Sequence, residues 1–205
     1  GSKYSYPSVS SFAVFGLTQI QNAGYSIDNG TLKDGISYLE DYMNNNEDLK
    51  TGTGDLKEKT STWANKRAFM LFALSESGHG DLGLSNSLYE DRELLSTPGK
   101  TYLAMTLFEL NGGSNSKVEE LIQDLENALS IDSRGSYIPN DEGRSFTMMT
   151  STKATALAIQ ALTRIEPDHV IMPRLISWLI ASRHNGHWDT TQDNMTALIA
   201  LTEYL

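Results

Sequence analysis

The chain has 205 residues, 39% of them hydrophobic and 20% charged, which is the composition of a globular protein with a substantial core. Its 26 acidic and 16 basic residues give a formal net charge of −10, and such a surface disfavours nucleic-acid phosphates and anionic lipid headgroups as partners. The lack of cysteine excludes disulfide bonds, thiolate metal ligands and a cysteine nucleophile within these residues. We therefore predict no nucleic-acid partner and no membrane contact for this segment.

In the first half of the chain, helices of two kinds are predicted to alternate. Residues 9–22 and 61–77 carry apolar side chains around most of the helical circumference, which is typical of a helix covered on more than one side. Between them, a single apolar stripe predicts an amphipathic helix with one solvent-exposed face. That stripe consists of Leu32, Ile36, Leu39 and Met43. Residues 82–95 are also interpreted as helical.

The second half of the chain continues this alternation. Residues 98–111, 151–165 and 190–205 have the pattern of covered helices. Two amphipathic stripes separate them. The stripes consist of Val118, Leu121, Ile122, Leu125 and Leu129, and of Val170, Ile171, Leu175, Trp178 and Leu179. The polar connector at about 131–149 is predicted to form an extended excursion or a hairpin.

The alternation predicts an all-α fold of stacked helical hairpins, because no single hairpin buries its own apolar face. Two arrangements satisfy this requirement, an open solenoid and a ring whose covered helices form the inner wall. Since no Pro- or Gly-rich linker interrupts the chain, residues 1–205 are predicted to form one domain. Helix 190–205 lacks the amphipathic partner that should follow it, so we expect an incomplete ring with an apolar edge available for self-association.

Residues 183–189 place two histidines and a carboxylate close together in sequence. A metal site would need a third ligand and a geometry that this glycine-containing segment does not indicate. We interpret the segment as a tight turn between helices, with Trp188 as its packing anchor, and we predict no metal site. The sequence TSTK at 150–153 resembles a Ser-x-x-Lys nucleophile arrangement. A threonine occupies the serine position, however, and we favour a helix cap followed by a surface lysine.

Paired carboxylates would instead support a glycan-active hydrolase or lyase, because glycosidases place two carboxyl groups on either side of the scissile bond. The candidates are Glu109, Glu142, Asp189, Asp193 and Glu203. The spacing of Asp193 from Thr190 also matches a capping box, which is the simpler interpretation. Trp188 and Gln192 invite comparison with terpenoid cyclases, but the acid-rich motif of those enzymes is missing. A helical-repeat module that binds peptides is a further alternative.

Several segments, taken in chain order, resemble the thioester (complement-component) domain of the alpha-2-macroglobulin family. In residues 186–205, a Gly-aromatic turn precedes a Thr-Thr-Gln-Asp sequence and an apolar helix, as at the end of that domain. Residues 148–158, 100–105 and 9–25 are similar to earlier helices of the same domain. The resemblance covers essentially the whole chain and implies a bacterial member of the family.

This resemblance implies an α/α toroid of inner and outer helices that belongs to a broad-spectrum protease inhibitor. The hallmark of the domain is a Cys-Gly-Glu-Gln thioester near its beginning, and this chain has no cysteine. The chain is therefore expected to be a non-enzymatic scaffold without a cofactor. Its expected partners are target proteases and other domains of the parent, at an extracellular, cell-surface or periplasmic location. The residues expected to cap the last helix and anchor its turn are Trp188, Thr190, Thr191, Gln192 and Asp193.

Overall fold

The computed structural model describes residues 6–45, 59–140 and 149–205. In these ranges the protein contains nine α-helices, one 3₁₀ turn at Arg92–Leu94 and one two-stranded antiparallel sheet, so the all-α prediction is confirmed. The helices are α1 Pro7–Asn22, α2 Asn29–Asn44, α3 Ser61–Glu76, α4 Leu82–Glu90, α5 Thr97–Asn111, α6 Ser116–Asn127, α7 Ser151–Ile165, α8 Met172–Ala181 and α9 Thr191–Tyr204. The strands are β1 Ser130–Asp132 and β2 Gly135–Tyr137.

Two compact units divide the chain, Gly1–Leu94 and Leu95–Leu205. Each unit contains helices of both predicted kinds. The arrangement of all the helices in a single toroidal domain stays a prediction.

In the first unit, α3 is the central helix and packs against α1, α2 and α4. It is buried along most of its length, as its apolar sequence predicts. Phe12 and Phe15 of α1 pack against Phe69 and Phe72 of α3, with ring centroids 4.5–6.3 Å apart. The predicted stripe of α2 is confirmed, because all four of its apolar residues are buried.

In the second unit, α7 occupies the centre and packs against α5, α8 and α9. Ten consecutive residues of α7, from Lys153 to Leu162, are buried. The stripe of α6 is buried as predicted over residues 118–125. The predicted stripe of α8 is wrong at its first residue, since Val170 is 90% exposed. The reason is that α8 begins only at Met172, so Val170 lies in the turn that precedes it.

Helices α1 and α9 are each buried along one side only. For α1 this differs from the prediction of a helix covered on more than one side, whereas helix 190–205 is expected to lack a partner. In α9, only Asp193, Thr196, Ala197 and Ala200 are buried, and they lie on the side that packs against α7. The opposite side exposes apolar residues, among them Met195 and Leu198. In α1, the buried residues are Ser11, Val14, Phe15 and Thr18, while Val9 and Ile20 are exposed. An apolar pattern indicates which residues of a helix are suited to burial, but it does not indicate how many other helices pack against them.

The predicted hairpin in the connector is confirmed at 130–137, while residues 141–148 lie outside the described ranges. The hairpin packs on α8, where the Tyr137 ring stacks on the Trp178 ring at 4.7 Å and 10°. The Trp178 Nε1–H donates to an Asp132 carboxylate oxygen at 3.0 Å, and the Ser177 hydroxyl donates to the Arg134 carbonyl at 2.9 Å. These contacts hold the hairpin against α8 by stacking and by hydrogen bonds together.

No helix in the described ranges combines the length and the apolar character needed to span a membrane.

The close approach of the hairpin to α8 requires a glycine at its turn. Gly135 has φ +147°, and a β-carbon there would lie 2.3 Å from the Arg174 carbonyl oxygen. Gly113 is a matched control, because it has φ +152° but no heavy atom within 4 Å of the same position. The backbone strain of an alanine is about 1–3 kcal/mol at either site. We expect overlap to make Gly135→Ala about 2 kcal/mol more destabilising than Gly113→Ala in urea denaturation. Equal losses of unfolding free energy in the two variants would contradict the close approach of the hairpin to α8.

Asp132 is expected to titrate at unusually low pH. The hydrogen bonds from the Arg134 guanidinium, supported by those from the Arg134 backbone N–H and from Trp178, hold the pKa of this carboxyl at about 2, below its ordinary value of 3.8, although desolvation acts in the opposite direction. Because the folded-state pKa is lowered, the stabilisation is present above about pH 4 and is lost as pH falls towards 2. Carboxyl-carbon NMR titration should find this pKa, and Arg134→Gln should raise it. Arg174→Gln, on the neighbouring helix, should leave it unchanged.

Candidate functional site

The helices α7 and α9 begin side by side, and their first turns form the candidate site. Thr150 caps α7, where its Oγ1 accepts the Lys153 N–H at 3.0 Å. Thr190 caps α9, where its Oγ1 accepts the Asp193 N–H at 3.0 Å. Both caps have extended backbone and a side-chain oxygen that accepts a free helical N–H, as threonine caps usually do.

Asp193 joins the two caps. Its Oδ2 accepts the backbone N–H of Thr190 at 3.2 Å, which completes a capping box at the start of α9. Its Oδ1 accepts the hydroxyl proton of Thr150, the cap of the other helix. Only 1% of Asp193 is exposed, so the carboxylate has exchanged water for donors from two helices. The positive ends of both helix dipoles lie beside its negative charge.

Lys153 and Gln192 form a second link between the same two helices. The Lys153 Nζ donates to the Gln192 Oε1 at 2.7 Å, and Lys153 is 1% exposed. The expectation of a surface lysine at this position is therefore wrong. The reason is that the first turn of α9 covers the first turn of α7, which no local pattern in 150–153 indicates.

Trp188 anchors the segment that leads into α9. Its ring is buried, and its Nε1–H donates to the Leu179 carbonyl at 2.8 Å and to the Ser182 hydroxyl at 3.2 Å. Its backbone N–H donates to Asn194 Oδ1 at 3.1 Å, and Asn194 Nδ2 donates back to the Trp188 carbonyl at 2.7 Å. The turn is therefore held both to the end of α8 and to the start of α9. Thr191, the first residue of α9, is exposed.

The tight turn predicted before Trp188 is the two-residue turn of a short hairpin. His184 and His187 exchange backbone hydrogen bonds of 2.8 and 3.2 Å across it. Asn185 and Gly186 have φ of +52° and +86°, the values that a hairpin of this length favours.

The carboxylates considered for a hydrolase do not assemble into a catalytic pair at Asp193 and Glu203. These residues lie ten positions apart on α9, a rise of about 15 Å, which exceeds the separation of carboxyl groups in glycosidases. Glu203 instead accepts from the Arg164 guanidinium at 2.8 and 3.1 Å. Glu109 and Asp189 are exposed, and Glu142 lies outside the described residues.

Sequence reasoning anticipated the capping-box spacing but missed the connection between the helices. The Thr-x-x-Asp pattern identifies the partners within α9. Nothing in that pattern identifies Thr150 as the donor to the second carboxylate oxygen, because Thr150 lies 43 positions away.

The chain is similar to known proteins both in sequence and in fold. No protein-family model matches the sequence. Over all 205 residues, the sequence is 25% identical to an alpha-2-macroglobulin homologue of Nostoc sp., of which the matched stretch is 10%. The chain thus spans about a tenth of that relative.

The fold is similar to segments of two solved bacterial proteins. Salmonella alpha-2-macroglobulin reacted with methylamine matches 98% of this chain and 12% of its own, with a TM-score of 0.71 and 21% identity. The native conformation of E. coli alpha-2-macroglobulin matches the same shares with a TM-score of 0.70 and 16% identity. The E. coli protein activated by porcine elastase matches 93% of this chain and 16% of its own, with a TM-score of 0.66 and 18% identity.

The predicted resemblance to the alpha-2-macroglobulin family is confirmed in sequence by the Nostoc relative and in fold by the solved structures. These names describe no enzyme, in agreement with the prediction that the chain is not one.

Asp193→Asn is expected to destabilise the protein. The amide oxygen can replace one carboxylate oxygen, but the amide nitrogen then faces a donor, either the Thr150 hydroxyl or the Thr190 N–H. A buried donor left without an acceptor costs about 1–3 kcal/mol, so urea denaturation should show a loss in that range. The control Asp189→Asn changes an exposed carboxylate and should stay within about 0.5 kcal/mol of the unchanged chain. Similar losses in both variants would refute the linking role.

Trp188→Phe tests the indole hydrogen bonds separately from packing. Trp63 is the matched control, because it is also buried and its Nε1 has no hydrogen-bond partner among the described residues. Both substitutions remove the same atoms, but only Trp188→Phe removes indole hydrogen bonds, those to the Leu179 carbonyl and the Ser182 hydroxyl. Thermal denaturation should show an additional loss of about 1 kcal/mol at Trp188. An equal or greater loss at Trp63 would contradict the assignment.

Proposed function

We propose that this chain is a segment of an alpha-2-macroglobulin-like protease inhibitor, in which it forms part of the helical scaffold that shields a thioester. The match to a Nostoc alpha-2-macroglobulin homologue along the whole chain supports this proposal. The chain spans only 10–16% of the relatives it matches, so the inhibitory activity belongs to the parent molecule. Target proteases and the other domains of the parent are the proposed partners, at an extracellular, cell-surface or periplasmic location.

The relatives indicate which chemistry the parent would carry out. One solved relative has reacted with methylamine, a small nucleophilic amine, and another was activated by elastase, a protease. A thioester is an acyl group that amines attack, and this chain, which contains no cysteine, cannot form one itself. The reactive group would therefore come from another part of the parent.

The buried link between α7 and α9 carries the scaffold role proposed for these residues. A thioester survives only where water and amines are excluded, and exclusion requires a wall whose helices stay together. Asp193 and Lys153 connect the first turns of α7 and α9 through buried polar contacts. At the other end of α9, Glu203 binds Arg164 of α7. Both ends of the helix pair are thereby held.

The inhibitor function is tested on the full-length parent. The parent is incubated with elastase, and hydrolysis is measured on a large protein substrate and on a small chromogenic peptide. Entrapment predicts loss of activity on the protein substrate while activity on the peptide is retained. Equal activity on both substrates with and without the parent would overturn the proposal.

The shielding role is tested by thiol release from the same parent. With Asp193→Asn, thiol appearance without added amine should be at least several times faster than in the unchanged parent, because the wall opens more often. Asp189→Asn is the control and should behave as the unchanged parent. Normal thiol release by Asp193→Asn, with inhibition intact, would reject the shielding role but not the inhibitor function.

A further inference from the structure

We propose that His184 and His187 form a binding site for a divalent transition-metal ion of the class that prefers imidazole ligands, represented by Zn²⁺. The proposal is independent of the inhibitor function, because it concerns only the hairpin before α9. It also departs from the interpretation of 183–189 as a turn without a metal site.

The hairpin places the two imidazoles opposite each other. His184 and His187 exchange both backbone hydrogen bonds, at 2.8 and 3.2 Å, and therefore form a directly opposed pair. The side chains of such a pair leave the same face of a hairpin, with β-carbons about 4.5–5.5 Å apart. Both residues are exposed, so an ion can reach them from solvent.

A hydrogen bond prepares one of the two imidazoles for an ion. The Nδ1 of His187 lies 3.0 Å from the carbonyl oxygen of Trp188. Since a carbonyl oxygen only accepts, Nδ1 carries the proton and Nε2 keeps the lone pair that a metal ion requires. Histidine ligands of metals commonly donate their other N–H to a backbone carbonyl, which fixes the ring and increases the basicity of the ligand.

Burial and hydrogen bonds hold the residue that supports the hairpin. The Trp188 carbonyl also accepts from Asn194 at 2.7 Å, and the Trp188 ring is buried with its Nε1–H bound to Leu179. The partner of His187 is thus attached to α8 and α9. The sequence pattern of this glycine-containing segment does not indicate a metal geometry, but in the structure Gly186 permits the tight turn that brings the histidines together.

The surroundings fit two protein ligands with water at the remaining positions. Among the described residues, no cluster of three or more histidine or carboxylate side chains has the geometry of a metal site, so the pair would act as a bidentate ligand. Imidazole nitrogen suits Zn²⁺, Ni²⁺ and Cu²⁺. The net charge of −10 also favours the approach of a cation. Arg183, the nearest charge in sequence, donates its Nε–H to the Ile180 carbonyl at 3.1 Å and lies over the Trp188 ring.

Calorimetric titration with Zn²⁺ tests the site on the full chain without a polyhistidine tag. We expect one saturable site per chain with a micromolar Kd, and at least a tenfold increase in Kd for His184→Gln and for His187→Gln. His79→Gln is the matched control, because His79 is also an exposed histidine, directly after a turn that follows a helix, and its replacement should not alter the Kd. Absence of saturable binding below millimolar Zn²⁺, or unchanged binding by both variants, would overturn the proposal.

Imidazole NMR tests the alignment of the two rings. Zn²⁺ should shift the resonances of His184 and His187 together at the same ratio of metal to protein. Gly186→Ala keeps both histidines but strains a turn residue at φ +86°, and it should raise the Kd several-fold. Shifts confined to one ring, or unaltered affinity of Gly186→Ala, would reject the paired site.

Discussion

The second unit depends on one buried carboxylate. Asp193 is 1% exposed, and its two oxygens accept from Thr150 of α7 and from Thr190 of α9. Without both donors, the buried carboxylate would have lost its hydrogen bonds to water without replacing them. The fold is therefore stable only when the first turns of α7 and α9 lie side by side. A contact between positions 43 residues apart thereby sets where two helices begin relative to each other.

Other parts of the second unit are attached to the same central helix. The Ile138 N–H donates to the Thr155 hydroxyl of α7 at 3.0 Å, and the Asn140 N–H donates to the Ser151 hydroxyl at 3.0 Å. The chain after β2 is therefore held on α7. The β1–β2 hairpin is held on α8 by Trp178, and α8 also packs against α7. Such a unit suits a scaffold, because its helices are joined by buried polar contacts in addition to apolar packing.

The hairpin before α9 shows how one anchor can serve two purposes. Trp188 fixes the entry into the capped helix, and its carbonyl also fixes the ring of His187. The first role concerns the stability of the helix pair, and the second concerns an exposed surface that solvent can reach. The same residue thus orders both a capped helix and an exposed pair of histidines.

The sequence by itself determined which segments are helices and which faces of the amphipathic ones are buried, because the 3.6-residue period expresses both locally. The stripe of α2 and the capping box of α9 are examples. Only the tertiary structure decided that Lys153 is buried, that Asp193 binds a second helix and that α1 is covered on one side. Each of these depends on which helices are neighbours, and that choice is made by contacts between distant residues that leave no trace in a local pattern.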